Sequence, residues 1–191
     1  MMHNKDSIRT FISVDLPEEL KISLSKKIRA FDIIKKSLFH RNCKLVAPLN
    51  YHLTIAFLGN TTKEELKLLT EDLRINIKKR KPIKCKINGL GVFPNPRFAR
   101  ILFLNIESKE LKELAQQIRE ILHSYGFKLD HEFKSHITVA RFRKKISILN
   151  LEELSTDLLN AEFNVDSFYL MQSILLPSGP LHSKLDKFDI N

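Results

Sequence analysis

The sequence has no tryptophan and only two cysteines among its 191 residues. Cys43 and Cys85 form no CxxC pair, so neither a zinc ribbon nor a disulfide framework is signalled, and a reducing compartment suits them. No apolar run approaches the roughly 20 residues of a membrane-spanning helix. The stretch Met1 to Thr10 is polar and charged, without the apolar core of a signal peptide. A soluble, cytoplasmic monomer is the expectation, with no membrane partner. No low-complexity segment or linker composition divides the chain, so residues 1–191 are expected to form a single domain. Carboxylates cluster nowhere with histidine at ligand spacing, and no metal and no cofactor is expected.

Acidic residues are also in deficit. Lys and Arg number 32 against 22 Asp and Glu, for a net charge of +10. Such a surface attracts polyanions and speeds their arrival, which points to a nucleic acid or phosphate partner.

Strand-like and helix-like segments alternate. Residues 9–16 read as a strand, and Pro17 opens a helix with Leu20, Leu24 and Ile28 at helical spacing. Residues 52–58 read as a second strand, broken by Gly59 and Asn60. Thr62 and Glu65 form a capping-box pattern for a helix through Leu66, Leu69, Leu73 and Ile77, closed by the basic cluster at 78–81. Alternation at Ile83, Cys85 and Ile87 predicts a strand, and another runs over 99–106. Ser108 caps a third helix, which Gly126 ends. Residues 136–142 are a further strand, 149–159 a short helix, and 163–176 and 181–188 two last strands. The order predicts an α+β fold.

Two of these strands share a signature. One reads His52-Leu53-Thr54-Ile55-Ala56, the other His136-Ile137-Thr138-Val139-Ala140. Seven His and seven Thr placed at random give about 0.26 His-x-Thr pairs, so two flanked alike call for a cause. A duplicated half-domain supplies one. Side chains alternate on a strand, so His and Thr at i and i+2 share a face while Leu53, Ile55, Ile137 and Val139 face the other way. With the strands side by side, two imidazoles and two hydroxyls meet in one groove. Histidine titrates near neutrality, so two of them make an acid–base pair. Threonine hydroxyls can hold phosphate oxygens.

These residues resemble the double HxTx signature of the 2H phosphoesterase superfamily, and within it the RNA 2′,3′-cyclic phosphodiesterases, formerly described as 2′–5′ RNA ligases. Arg9-Thr10-Phe11-Ile12, Asp15-Leu16-Pro17, Phe57-Leu58-Gly59, Gly91-Val92-Phe93-Pro94, Arg141 and Pro177-Ser178-Gly179-Pro180 are also similar to that branch. The chain departs from it at Ser135, where proline is common, at Leu45, where tryptophan is common, and at His182, where tyrosine is frequent. The resemblance implies two pseudo-symmetric lobes, each a small antiparallel sheet backed by helices, with the two motifs in a central cleft. It implies metal-independent hydrolysis of RNA 2′,3′-cyclic phosphate ends, tRNA-derived ends among them, to a 2′-phosphate. His52 is then the proton donor, His136 the proton acceptor, and Thr54 and Thr138 the phosphate-binding residues.

Phe57 and Arg141 are further candidates for substrate binding, as a stacking platform and a phosphate contact. Strict alternation puts both on the far face unless the strand bends. Arg9, Arg97, Arg100 and Arg143 are candidates for a basic track, and His3, His40, His123, His131 and His182 read as surface or structural. Two other functions stay open: an RNA-end-binding module without turnover, and a cyclic phosphodiesterase acting on a small nucleotide such as ADP-ribose cyclic phosphate.

Overall fold

The computed structural model describes residues 7–129, 132–149, 151–154, 161–177 and 179–191. Nine antiparallel strands form one sheet, ordered β7-β4-β5-β6-β3-β1-β8-β9, with β2 paired to β6. The strands are β1 (Ile8–Asp15), β2 (Cys43–Leu45), β3 (His52–Thr61), β4 (Ile83–Phe93), β5 (Ala99–Glu107), β6 (His136–Ile146), β7 (Glu162–Val165), β8 (Ser167–Leu176) and β9 (Gly179–Asp189). The two motif strands, β3 and β6, are the central pair. They meet antiparallel at one register pair, Leu53 with Ile137. Each is followed outward by its own antiparallel strands, so the sheet is two halves joined at a narrow seam, four strands on the β3 side and five, counting β2, on the β6 side. This is the expected α+β arrangement of two lobes around a centre.

Helices α1 (Glu18–Ala30), α2 (Asp32–Phe39), α3 (Lys63–Asn76), α4 (Lys109–Ser124) and α5 (Leu151–Leu154) complete the described elements, with two short 3-10 turns at Pro48–Asn50 and Pro96–Phe98. The capping box on α3 forms as read: the Glu65 amide donates to Thr62 Oγ1 and the Thr62 amide to the Glu65 carboxylate. Ser108 caps α4 through the Leu111 amide. The apolar stripes of α3 and α4 are buried at Leu66, Leu69, Leu73, Leu111, Leu114, Ala115, Ile118 and Leu122. They pack in one core with Leu53, Ile55, Ile137 and Val139 from the backs of the motif strands.

Three boundaries differ from the sequence reading. The run 163–176 is two strands divided at Asp166: β7 pairs with β4 at one edge, while β8 pairs with β1 in the other half. Pattern alone could not see the break, because β-favouring residues continue across it. The basic cluster at 78–81 lies beyond α3, which ends at Asn76 with Arg74 in its last turn. The short helix read over 149–159 is described only at Leu151–Leu154; residues 155–160 lie outside the described segments, as do His3, His131 and Ser178. Among the described residues no helix is long and apolar enough to cross a membrane.

Candidate active site

Both motif histidines are held by one device. Each follows a short segment that turns a carbonyl back onto its ring: His52 Nδ1 lies 2.8 Å from the Asn50 carbonyl oxygen, and His136 Nδ1 lies 2.7 Å from that of Lys134. A carbonyl only accepts, so each Nδ1 carries a hydrogen and donates it. That fixes both rings and leaves each Nε2 as the nitrogen that takes or gives a proton. His52 Nε2 lies 3.1 Å from Thr54 Oγ1, whose hydroxyl donates to it when the ring is neutral.

Each ring is also wedged between two aromatic neighbours. Phe11 and His182 stand 5.0 and 5.3 Å from His52, and Phe93 and Phe103 stand 5.3 and 5.1 Å from His136. Gly91 makes room for the second pair, since a Cβ there would run into the Phe103 ring.

Matching β-bulges shape the rest of the site. Along β1, Ile12 pairs with Ala56 and Ser13 with Thr54, which leaves Ile55 as the extra residue. Along β5, Leu102 pairs with Ala140 and Phe103 with Thr138, which leaves Val139 extra. A bulge shifts the alternation by one residue. Ile55 and Ala56 are therefore buried consecutively, as are Val139 and Ala140. Phe57 and Arg141 return to the face that carries His52, Thr54, His136 and Thr138. Phe57 is 61% exposed. The Ile55 carbonyl accepts from the Arg119 guanidinium at 3.3 Å, and that of Val139 from the Val46 amide at 3.0 Å.

All six candidates line one cleft of about 870 Å³. Of the four arginines read as a basic track, Arg9 lines it; Arg97, Arg100 and Arg143 do not. Arg100 is turned instead to the backbone carbonyls of Phe142 and Arg143 on β6. Local sequence could not assign these side chains, because their direction depends on how β5 and β6 pair. The reading also missed Arg119, Lys134 and His182, which all reach the cleft. Lys134 was detectable, lying two residues before the second motif; Arg119 arrives from α4 and gave no local signal; His182, read as surface or structural, arrives in the cleft from β9, and its one trace was that it stands where the similar branch has tyrosine. His40 and His123 are exposed, as expected.

Burial pushes the His52 imidazole down to about 4, helped by His182 and Lys21 and opposed by the Asn50 carbonyl and the Asp15 carboxylate. Burial also lowers His136, helped by the cations of Arg141 and Lys134 and opposed by the Lys134 carbonyl. Both rings are therefore neutral at pH 7. Cations act against the proton at both rings, Lys21 at His52 and Arg141 and Lys134 at His136; His52 also faces the carboxylate of Asp15, which is itself paired with Lys21 and Lys184. Among the described residues no group of three or more His, Cys, Asp or Glu side chains is placed to hold a metal ion.

A sheet split at its centre, with one anchored imidazole on each side of the seam, is the arrangement of a two-histidine phosphoesterase. Residues 20–174 match the family model of the 2′-5′ RNA ligase superfamily, and the chain belongs to that superfamily, the 2H phosphoesterases that its paired motifs resemble. A protein of Archaeoglobus fulgidus named RNA 2′,3′-cyclic phosphodiesterase is 33% identical over 184 residues, covering 95% of this chain and all of that protein. A protein of the same name from Methanocaldococcus jannaschii is 30% identical over 185 residues, covering 95% of this chain and all of its own length. The crystal structure of TT0787 of Thermus thermophilus superposes with a TM-score of 0.77 at 29% identity, covering 96% of this chain and 98% of that one. The E. coli LigT structure in apo form shares the fold at a TM-score of 0.73 and 21% identity, over 97% and 98% of the two chains.

Proposed function

We propose that this protein is a hydrolase that opens 2′,3′-cyclic phosphates at RNA ends and leaves a 2′-phosphate. The observation that carries the reading is the paired anchoring of His52 and His136, each with Nδ1–H on a carbonyl, which leaves Nε2 as the nitrogen for proton transfer. A molecule that only bound phosphate would need no such matched pair. The names of the two archaeal relatives support the substrate class, and the basic charge suits an RNA.

Hydrolysis needs two proton movements. Water attacks phosphorus from the side opposite the 3′ oxygen and gives its proton to Nε2 of His136. The bond from phosphorus to the 3′ oxygen breaks, and that oxygen takes the proton of Nε2 on His52. The product carries a 2′-phosphate and a 3′-hydroxyl, and solvent returns the proton from one imidazole to the other. His52 is neutral at pH 7 with its pKa lowered by burial, so its acid form needs the charge of an anion beside it. A phosphate charge beside both rings raises both, and the assignment of the donated proton to His52 rests on the family resemblance. Thr54 and Thr138 donate to the non-bridging oxygens as charge builds there. The matching bulges further support a duplicated half-domain as the plan of residues 1–191.

The test is hydrolysis of an oligoribonucleotide ending in a 2′,3′-cyclic phosphate, in excess EDTA, by wild type, His52→Ala and His136→Ala. Loss of a positioned acid or base lowers the rate about 10²–10⁴-fold. Activity abolished by EDTA, or variants as fast as wild type, would overturn the mechanism, and a 3′-phosphate product would reverse the two roles.

A further inference from the structure

The β8–β9 hairpin brings to the cleft an imidazole that the acid–base pair does not use. His182 on β9 is the register partner of Ser173 on β8, and Pro180 that of Leu175. Alternation puts these four on one face, and all four line the cleft. His182 stands edge-on to His52, with ring centres 5.3 Å apart, and its centre lies 5.0 Å from that of Phe11. Its Nδ1 is buried and has no hydrogen-bond partner among the described residues.

That orphan nitrogen bears on the tautomer. An orphaned buried N–H is rarer than an under-satisfied acceptor, which favours the tautomer with the hydrogen on Nε2. His182 is thus the reverse of His52 and His136: its reachable edge is a donor. Burial lowers its pKa, which keeps it neutral.

The surroundings say what the donor meets. On this side of the cleft stand the exposed faces of Phe57 and Leu175, 61% and 66% exposed, together with Pro180. The opposite side carries Lys134, Glu132 and Arg141. A largely apolar wall with neutral donors at His182 and Ser173 matches a nucleoside, with Arg9 of the neighbouring β1 also lining the cleft; the side of Lys134 and Arg141 suits phosphate and water.

Resting on the reading of the site as a cyclic phosphodiesterase, we propose that the inward face of the β8–β9 hairpin is the subsite for the nucleoside that bears the cyclic phosphate, with Nε2–H of His182 donating to an acceptor of its ribose or base and Leu175 packing on the base. The subsite makes the terminal nucleoside, and not the phosphate alone, the recognised unit.

The experiment is titration of adenosine 2′-monophosphate and of inorganic phosphate into wild type, His182→Phe and Leu175→Ser. Wild type binds the nucleotide more tightly than phosphate. Each variant weakens nucleotide binding about 3–10-fold, the equivalent of one hydrogen bond or one partly buried apolar side chain, and leaves phosphate binding unchanged. Equal weakening of nucleotide and phosphate would reduce His182 to a support for His52 and overturn the proposal. Unchanged nucleotide binding in both variants, or a wild type that binds nucleotide no better than phosphate, would overturn it too. Should His182→Phe fail to fold by circular dichroism, the exposed Leu175→Ser decides the matter. Selective losses in the variants, with a wild type that hydrolyses no cyclic phosphate, support the subsite and sink the proposed reaction, so the two failures are distinct.

Discussion

Leu53 and Ile137 are register partners across the seam between β3 and β6, and both are fully buried. On this antiparallel register His52 lies across from Thr138, and His136 across from Thr54. The pair therefore sets the spacing of the site from behind it. Truncating Ile137 to Ala removes packing that the neighbours cannot refill and should cost about 2–5 kcal/mol. Urea denaturation followed by far-ultraviolet circular dichroism measures it, since the chain has no tryptophan to report by fluorescence. Activity should fall further than the loss of folded protein explains. A stable Ile137→Ala variant with full activity would show that the seam does not position the motifs.

The pH dependence of stability follows from His52. Its folded pKa is lowered to about 4 by burial, against about 6.5 in the unfolded chain. Between those values the unfolded state binds the extra proton, so stability rises with pH. The contribution is complete above about 6.5 and is lost as pH falls toward 4, a difference on the order of 3 kcal/mol. Burial shifts His136 and His182 the same way. Denaturation midpoints at pH 7.5 and 4.5 give the measurement, and His52→Phe should flatten part of the slope. A midpoint that rises on acidification would contradict the burial of these rings.

The two threonines are not equivalent. Thr54 donates to His52 Nε2, so it both restrains the imidazole and is placed to meet phosphate. Replacing either threonine by valine removes a donor aimed at developing charge and should lower kcat about 10²–10³-fold. Thr54→Val should be the more damaging, and Thr54→Ser should recover most of the loss because the hydroxyl returns. Steady-state kinetics separates the effects. A rise in KM with kcat intact would make the threonines ordinary binding groups.

Much of this was legible in the chain itself. The motif residues announce a shared face through simple alternation, and the caps at Thr62 and Ser108 are local chemistry that no tertiary contact overrides. What was hidden depends on pairing between distant segments. The break at Asp166 sends β7 and β8 to opposite halves of the sheet, and His182 gains its place only because β9 pairs with β8 next to β1. The bulges at Ile55 and Val139 lie between. Two consecutive apolar residues after each HxT are a faint trace of them, but any fully buried strand looks the same.

Those bulges carry the last prediction, because they bring Phe57 and Arg141 back onto the cleft face. Phe57 offers an exposed ring and Arg141 a charge, and their losses should differ in kind. A base stacked on an aromatic ring contributes about 1–3 kcal/mol and is insensitive to salt, so Phe57→Ala should weaken oligonucleotide binding about 5–150-fold with the salt slope unchanged. A phosphate contact releases counterions, so Arg141→Met should lower the slope of log affinity against log salt by about 1. Binding to an RNA end, measured in His52→Ala to prevent turnover and at several salt concentrations, separates the two. Phe57 is too exposed for its loss to unfold the protein, so a binding defect there reports on stacking. If Arg141→Met leaves the slope intact, its charge meets no phosphate, and its role is confined to holding His136 neutral.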